Sequence, residues 1–161
     1  MAVTIGDEVP DFTATTHTGA TVRLSDLLAP GAVVLFFYPK AHTSGCTAEA
    51  CHFRDLAAEF AEVGAQPVGA SRDDVATQAW FASKHDLTYP LLADVDGSVA
   101  AIFGAKRRGP LWSRRQTFVI DGDRRLLGHI RSETDMTSHA DEALTLLRER
   151  DPHQPRPPQR T

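Results

Sequence analysis

The sequence predicts an α/β fold in which helices flank a central mixed β-sheet. Residues 32–38 form a continuous apolar run that is rich in β-forming residues, which is typical of a strand buried on both faces. Strand-like and helix-like segments alternate after it, and this order favours parallel pairing. Residues 116–130 contain two strand-like segments on either side of Asp121-Gly122, which predicts an antiparallel hairpin and makes the sheet mixed. The length of 161 residues suits a single domain, which we assign to residues 1–150.

The first third of the chain is expected to lead into the buried strand. The elements expected here are an extended segment at residues 4–12, a short strand at 21–23, a helical turn at 26–28 and the buried strand at 32–38. Pro39 ends that strand, because proline cannot donate a ladder hydrogen bond.

A helix is predicted directly after Pro39. Thr43 or Ser44 can cap its start, and Gly64 can end it. Its apolar residues recur at the spacing of one helix face: Phe53, Leu56, Ala57 and Phe60. One face of this helix is therefore expected to be buried against the sheet.

The second half of the chain continues the alternation. The expected elements are a strand at residues 66–70, a helix at 73–85, a short helix at 98–104, hairpin strands at 116–120 and 125–130, and a last helix that Ser138 and Asp141 open. Ser71 and Asp74 have the spacing of a capping box for the helix at 73–85, and Tyr89-Pro90 indicates a break. The tail at residues 151–161 has four prolines and no aliphatic or aromatic residue, so we expect it to be disordered.

Composition argues against several classes of protein. The formal net charge of −4 gives no reason to expect a nucleic-acid partner. The basic residues cluster once, in a pattern that a solvated loop would explain: Lys106, Arg107, Arg108, Arg114 and Arg115. The first ten residues have no basic n-region and no apolar h-region, and the apolar run at 32–38 is far shorter than the ~20 residues of a membrane helix. We therefore expect a cytoplasmic protein with no membrane contact.

Two cysteines, Cys46 and Cys51, carry the functional prediction. In a compartment that keeps thiols reduced, they favour catalytic, redox-sensing or metal-binding roles over a structural disulfide. Cys46 would lie in the first turn of the helix that follows a buried strand, where α/β sheets bind ligands. The unpaired N–H groups and the positive dipole end of the helix favour a thiolate there. A thiolate attacks oxidants, and a second thiol can trap the resulting sulfenic acid as a disulfide.

The spacing of the two cysteines predicts a conformational change. On an intact helix, five residues correspond to a rise of roughly 7.5 Å and a Cα separation of about 8–9 Å. A disulfide needs about 4.4–6.8 Å between its Cα atoms. A bond between Cys46 and Cys51 therefore requires the first turns of the helix to unwind in each cycle.

The region around Cys46 resembles a known family. The pattern Pro39-x-x-x-Thr43-x-x-Cys46 resembles the active-site signature of peroxiredoxins, and Cys51 five residues further on is similar to the bacterioferritin-comigratory (peroxiredoxin Q) subfamily. Further similarity lies at residues 68–71, 81–85, 89–94 and 115–121, in the same order along the chain, so that the resemblance covers residues 3–149.

The resemblance implies a thioredoxin-like fold and a thiol-specific peroxidase. Cys46 matches the peroxidatic cysteine, which reduces hydrogen peroxide and organic hydroperoxides and becomes a sulfenic acid. Cys51 matches the resolving cysteine, which forms an intramolecular disulfide that thioredoxin or a similar thiol reductant reduces. The family uses no metal or organic cofactor, and the subfamily is often monomeric and sometimes dimeric.

Four further residues match the signature of the family. Thr43 matches the threonine that hydrogen-bonds the thiolate and the peroxide, and Arg115 matches the arginine that stabilises the thiolate and the developing charge. Pro39 matches the proline that shields the pocket from water. Glu49 matches a commonly retained acid on the same helix. Arg114 is adjacent to Arg115, but neighbours on a strand point to opposite faces, so only one of the two can reach the pocket.

Simpler interpretations remain open for several of these residues. Cys51 could be a core residue, in which case an external thiol would resolve the sulfenic acid. Thr43 could be only a helix cap, Pro39 only a strand terminator, and Glu49 only a first-turn carboxylate favoured by the helix dipole. His42, beside the signature, is expected to be a solvated loop histidine, and Trp80 and Phe81 are expected to pack on a helix face.

Other functions are less consistent with the pattern. A thiol redox sensor that passes oxidation to a partner protein would share Cys46 and is the main alternative. A general disulfide oxidoreductase usually has a Cys-x-x-Cys motif, which is absent here. A zinc site is disfavoured because a helix would splay His42, Cys46, Cys51 and His52. Asp94-Val-Asp96-Gly97 resembles the start of a calcium loop but lacks the downstream ligands.

Overall fold

The computed structural model of the protein describes residues 2–107 and 113–150. Residues 151–161, which are predicted to be disordered, and Arg108 of the basic cluster lie outside the described residues. The elements in chain order are β1 Thr13–Thr15, β2 Thr21–Arg23, α1 Leu24–Leu27, β3 Ala32–Phe37, α2 Ser44–Asp55, α3 Ala57–Glu62, β4 Ala65–Ser71, α4 Val75–Lys84, β5 Leu91–Ala93, α5 Ser98–Phe103, β6 Gln116–Ile120, β7 Leu126–Arg131 and α6 Ser138–Glu149.

A five-stranded mixed sheet forms the centre of the protein, in the order β5-β4-β3-β6-β7. Strand β3 pairs parallel with β4, and β4 pairs parallel with β5. Strand β6 pairs antiparallel with both β3 and β7. The predicted mixed sheet is confirmed, and the predicted buried strand β3 lies at its centre.

Successive side chains of β3 alternate between two apolar clusters, one on each face of the sheet. Val34 and Phe36 pack with residues of α2, α3, α4 and α6 on the first face. Val33 and Leu35 pack with residues of α1, α5 and the N-terminal segment on the second face. Burial on both faces is the physical reason for the unbroken apolar run in the sequence.

The predicted long helix is in fact two helices. Helix α2 ends at Asp55 and α3 begins at Ala57, because Leu56 has ψ 7°, which is outside the helical range. The bend keeps the rings of Phe53 and Phe60 in the same cluster, with 5.9 Å between their centroids. Gly64, with φ 71°, follows α3 and ends it as predicted.

The predicted capping box before α4 is wrong. Asp74 is the N-cap residue, and its side chain accepts a hydrogen bond from the Thr77 N–H at 2.8 Å. Ser71 is instead the last residue of β4, where its hydroxyl donates to Asp73 at 2.6 Å.

Strands β1 and β5 were not expected from the sequence. Each has three residues, which is too short to establish an alternating pattern. Strand β5 directly follows Tyr89-Pro90, which indicates a break, yet its pairing with β4 extends the parallel part of the sheet. Strand β1 pairs with β2 in a separate two-stranded hairpin beside the main sheet.

Candidate active site

The candidate site lies at the carboxyl end of β3, where the chain passes through residues 38–43 into α2. Cys46 is the third residue of α2 and only 1% exposed. The N–H groups of a first helical turn have no partner within the helix, so the sulfur of a residue in this turn lies in a positive field.

Asp73 holds the loop between β3 and α2. One carboxylate oxygen, Oδ2, accepts hydrogen bonds from the Ala41 N–H at 2.8 Å and from the Ser71 hydroxyl at 2.6 Å. Since β3 and β4 are parallel, their carboxyl ends meet at the same edge of the sheet, and a residue after β4 can reach the loop after β3. Sequence reasoning did not identify Asp73, because its contact with the loop depends on this strand pairing.

Arg115 links two residues of α2. Its Nη2 is 3.2 Å from Cys46 Sγ, and its Nη1 donates to Glu49 Oε1 at 2.9 Å. Arg115 is 5% exposed and Glu49 is fully buried. The side chain reaches α2 because Arg115 directly precedes β6, which pairs with β3. A guanidinium at this distance stabilises a thiolate over a thiol.

Of the two adjacent arginines, Arg115 reaches the site and Arg114 is exposed. This agrees with the expectation that only one of them can point into the pocket. The backbone N–H of Arg115 also donates to Glu133 Oε1 at 3.2 Å, and this contact fixes the start of β6.

Burial and the neighbouring charges shift the pKa values of Glu49 and Arg115 in opposite directions. Burial raises the pKa of Glu49 to about 8, although the adjacent Arg115 lowers it. Burial also tends to lower the pKa of Arg115, but Glu49 and Cys46 outweigh it and raise that pKa overall. The guanidinium is therefore a permanent positive charge, while burial favours the protonated form of the Glu49 carboxyl.

His139 on α6 forms the far wall behind Glu49. Its Nε2 lies 2.7 Å from the Ser132 carbonyl, which can only accept, so Nε2 carries a proton. Its Nδ1 lies 2.8 Å from the Thr117 hydroxyl. Burial lowers the pKa of His139, so the ring is neutral near pH 7. Nothing in the sequence pattern distinguishes His139 from a surface histidine at the start of an amphipathic helix.

Thr43 occupies the N-cap position of α2 with extended backbone angles, φ −83° and ψ 154°. Its hydroxyl donates to the Lys40 carbonyl at 2.8 Å. Within the described residues it accepts no hydrogen bond from the helix, so the prediction that this side chain caps the helix is wrong. The hydroxyl oxygen keeps its lone pairs available, and its contact with a substrate remains a prediction. Pro39 lies half-buried two residues after the end of β3, and its role in shielding the pocket from water remains a prediction.

Cys51 lies half-buried in the same helix as Cys46, and both are free thiols. Helix α2 is continuous from Ser44 to Asp55. On an intact helix the two Cα atoms are about 8–9 Å apart, so the sulfurs cannot bond without unwinding.

Met136 is a further residue that sequence reasoning missed. Its Cε and Sδ lie 3.1 and 3.5 Å from the point where a Cβ on Gly45 would stand, and Arg115 Nη2 lies 3.3 Å from the same point. The absence of a side chain at Gly45 thus lets both groups approach the first turn of α2. Met136 lies between β7 and α6, where the sequence has no recognisable pattern.

His42 is not a solvated loop histidine. Its ring packs against Trp80 with 4.1 Å between centroids and against Phe81 at 5.1 Å. Within the described residues, neither ring nitrogen has a hydrogen-bond partner, and both are buried. Phe81 packs in the core as expected, whereas Trp80 is 60% exposed and covers the His42 ring. The His42–Trp80 contact attaches the signature loop to α4.

Within residues 2–107 and 113–150, no group of three or more His, Cys, Asp or Glu side chains is placed to hold a metal ion. No helix there is both long and apolar enough to cross a membrane.

Comparisons with known proteins identify close relatives. The model of the AhpC/TSA family matches residues 5–128. A putative peroxiredoxin of Mycobacterium tuberculosis is 58% identical over 146 residues, which cover 89% of this chain and 95% of that protein. Peroxiredoxin Bcp of Bacillus subtilis is 36% identical over 155 residues, which cover 92% of this chain and 98% of that protein.

Solved structures agree with these relatives. The crystal structure of peroxidoxin BcpB from Mycobacterium tuberculosis superposes with a TM-score of 0.86 at 57% identity and covers 89% of this chain and 96% of that one. The bacterioferritin comigratory protein of Xanthomonas campestris superposes with a TM-score of 0.81 at 26% identity and covers 92% and 98% of the two chains. That structure was described as giving insight into the alkyl peroxide reduction activity of the Xanthomonas protein.

Proposed function

The chain belongs to the AhpC/TSA family of peroxiredoxins, which supports a thiol peroxidase activity, and we propose that Cys46 is the nucleophile that reduces hydrogen peroxide and organic hydroperoxides. The thioredoxin-type fold places this cysteine where a buried strand ends and a helix begins. One observation carries the proposal: the Arg115 guanidinium lies 3.2 Å from Cys46 Sγ at the first turn of α2.

In the first step, the Cys46 thiolate attacks the distal oxygen of the peroxide. An S–O bond forms and the O–O bond breaks, so that sulfur is oxidised to a sulfenic acid and the peroxide is reduced to water or an alcohol. Arg115 stabilises the thiolate before attack and the negative charge that develops on the leaving oxygen. Preorganised donors of this kind commonly supply the largest catalytic contribution. Thr43 and Pro39 are proposed to orient the peroxide and to keep water away from it.

In the second step, Cys51 resolves the sulfenic acid. The Cys51 sulfur attacks Cys46 Sγ, water leaves, and an intramolecular disulfide forms. Since α2 separates the two cysteines by about 8–9 Å between Cα atoms, its first turns unwind in this step. We propose that thioredoxin or a similar dithiol then reduces the disulfide and returns α2 to its continuous form.

One relative supports the proposed substrate class. The Xanthomonas structure was described in terms of alkyl peroxide reduction activity, and the shared fold supports organic hydroperoxides as substrates here. The alternative of a redox sensor shares the first step but requires slow turnover without a partner, and the peroxiredoxin relatives do not favour it.

Peroxide consumption by three forms of the protein tests the proposal. The wild type, Cys46→Ser and Cys51→Ser are each assayed with and without a thioredoxin system. We expect Cys46→Ser to be inactive, and Cys51→Ser to turn over only with a small-molecule thiol. An active Cys46→Ser enzyme would disprove the central proposal. A Cys51→Ser enzyme that turns over with thioredoxin would remove Cys51 from the mechanism.

A matched pair of arginine variants tests the role of the guanidinium. Arg115→Met should slow the oxidation of Cys46 by about 10²–10³-fold, the usual effect of removing one charge-stabilising donor. Arg114→Met removes the same charge one residue away, at an exposed position before β6, and should leave that rate unchanged. Equal losses in the two variants would mean that only the overall charge of the region matters.

A further inference from the structure

Glu49 is an unusual partner for Arg115, because the guanidinium already faces a second group that becomes an anion. Nη1 donates to Glu49 Oε1 at 2.9 Å, and Nη2 is 3.2 Å from Cys46 Sγ. If both the thiol and the carboxyl were ionised, one buried positive charge would face two buried negative charges. Burying an unpaired charge is far more costly than burying a neutral polar group.

The second oxygen of Glu49 has no hydrogen-bond donor in the part of the chain that the structure describes. Glu49 is fully buried, and within the described residues Oε2 has no partner. The nearest candidate is His139 Nε2 at 3.7 Å, which is too long for a hydrogen bond and whose proton is directed to the Ser132 carbonyl. A carboxylate oxygen without donors is poorly stabilised, whereas a protonated carboxyl carries no net charge.

Among the described residues, no other group near Glu49 supplies a compensating positive charge. His139 on α6 is neutral near pH 7, because burial lowers its pKa. Tyr89 stays a neutral hydroxyl, because burial raises its pKa well above the usual value, and it donates to the Ala50 carbonyl at 2.6 Å. Glu133, between β7 and α6, is an acid and disfavours ionisation of Glu49 further. Arg115 is thus the cation that Glu49 and Cys46 share.

We propose that Glu49 holds a proton while Cys46 is a thiolate and releases it when Cys46 is oxidised, so that Arg115 faces one anion at each stage. Burial of the carboxyl raises its pKa to about 8 with Arg115 in place, which is consistent with a proton held at neutral pH. The inference rests on the proposed function, because it takes the oxidation of Cys46 by a hydroperoxide as its trigger.

The first step then takes up no net proton, because solvent supplies the proton of the leaving group and receives the one that Glu49 releases. The thiolate attacks the distal oxygen and forms the sulfenic acid, and the leaving alkoxide or hydroxide takes up one proton. Glu49 releases one proton and becomes the carboxylate that Arg115 pairs with. Glu49 contacts no substrate: it is a positioning residue that acts through the Arg115 guanidinium and sets its charge balance.

Infrared difference spectroscopy tests this directly. Cys51→Ser protein, which stops at the sulfenic acid, is measured reduced and after one equivalent of hydrogen peroxide at neutral pH. We expect the C=O stretch of one protonated carboxyl to disappear on oxidation. The lost band should be absent from the reduced Glu49→Gln protein. Glu133→Gln makes the same substitution at the exposed acid beside Arg115 and should retain both the band and its loss.

The possible results distinguish a failure of this inference from a failure of the proposed function. A reduced protein without a protonated carboxyl assigned to Glu49, or a band that oxidation leaves unchanged, would overturn the inference while the peroxidase mechanism stands. If mass spectrometry finds no oxygen added to Cys46 after peroxide treatment, the proposed function fails and the inference fails with it. Since the decisive spectra are those of protein with Glu49 in place, a Glu49→Gln protein that does not fold leaves the test intact.

Discussion

The two halves of α2 are held in place by different interactions. Residues 50–55 pack into the apolar core: the Phe53 ring stacks on Phe36 with 4.1 Å between centroids and 9° between planes. The hydroxyl of Tyr89 donates to the Ala50 carbonyl at 2.6 Å. The same half is tied to its neighbours by a hydrogen bond from Arg54 to the His85 carbonyl at 2.7 Å and by the His52–Asp141 contact at 2.8 Å.

Residues 44–49 lack comparable apolar contacts. Their sequence, Ser-Gly-Cys-Thr-Ala-Glu, contains no large apolar side chain. Within the described residues, the side chain of the N-cap residue Thr43 does not cap the helix. Cys46 belongs to the same apolar cluster as Phe53, but the buried polar contacts of this half run through one residue, Arg115, to Cys46 and Glu49.

The difference indicates which end of α2 moves. Apolar packing of residues 50–55 does not depend on the oxidation state of Cys46, whereas the contact of Arg115 with Cys46 is strongest when the sulfur is charged. Formation of the neutral sulfenic acid removes that charge and weakens the contact between Arg115 and Cys46 in the first turn of α2, while the packing of residues 50–55 stays unchanged. We therefore expect residues 44–49 to unwind and carry Cys46 toward Cys51, which keeps its place.

The largest expected effect is on the C-terminal half. Phe53→Ala removes a fully buried ring between Phe36 and Phe60, and should lower the free energy of unfolding by about 3–5 kcal/mol. Urea denaturation of the reduced protein measures the loss. Ser44→Ala, at the exposed end of the helix, should change it by less than about 0.5 kcal/mol. Similar losses in both variants would show that the two halves are equally anchored.

The buried acid gives the N-terminal half a pH dependence. Because burial raises the pKa of Glu49 from 4.5 to about 8, the folded protein binds more protons than the unfolded chain between these values. The stability that the protonated Glu49 carboxyl provides is therefore fully present below the unfolded pKa. It falls as the pH rises toward the folded pKa, by at most about 1.4 kcal/mol per pH unit.

The unfolding free energy of wild type and of Glu49→Gln is measured from pH 5 to 8. The histidines contribute equally to both proteins, so the difference between the two curves gives the pH dependence that Glu49 contributes. Phe53→Leu, in the apolar half, should lower stability by the same amount at every pH. A wild-type curve parallel to that of Glu49→Gln would mean that Glu49 is ionised throughout this range.

The sequence predicts the features of α2 and its surroundings that depend on neighbouring residues, and it misses those that depend on packing. The strand β3, the start of α2 and the positions of Cys46, Cys51 and Arg115 follow from local patterns, because apolar runs, turn residues and a spaced signature are properties of neighbouring residues. The bend at Leu56 was missed, since it depends on how Phe60 meets the core.

Contacts between distant segments could not be predicted from the sequence either. Asp73, Met136 and His139 reach the site only because strands and helices distant in the chain are brought together, and none of them stands in a recognisable motif. The missing cap at Thr43 has the same origin, because its hydroxyl bonds the Lys40 carbonyl of a loop that Asp73 positions.

Tyr89→Phe tests the boundary between the two halves. It removes the hydroxyl that donates to the Ala50 carbonyl, and the unfolding free energy should fall by about 1 kcal/mol. Amide hydrogen exchange should become faster at residues 50–55 of the reduced protein. Tyr38→Phe is the matched control, because that buried hydroxyl donates to Gln78 on α4. If the two variants change exchange in α2 equally, Tyr89 does not anchor this helix.

The smallest expected effect comes from stiffening the end of α2 that moves. Ser44 is the first helical residue, where proline is well tolerated, and Thr43 before it already has the extended backbone that a following proline requires. Ser44→Pro should stabilise residues 44–49 by about 0.4–1 kcal/mol and slow disulfide formation by about 2–5-fold, because the helix unwinds before the bond forms. Stopped-flow measurement of the decay of the sulfenic acid gives the rate of disulfide formation. The rate at which peroxide first oxidises Cys46 is the internal control, because that step occurs on the intact helix and should not change. An unchanged rate of disulfide formation in Ser44→Pro would show that Cys46 reaches Cys51 without unwinding from the N-terminal end, and that Cys51 is the residue that moves.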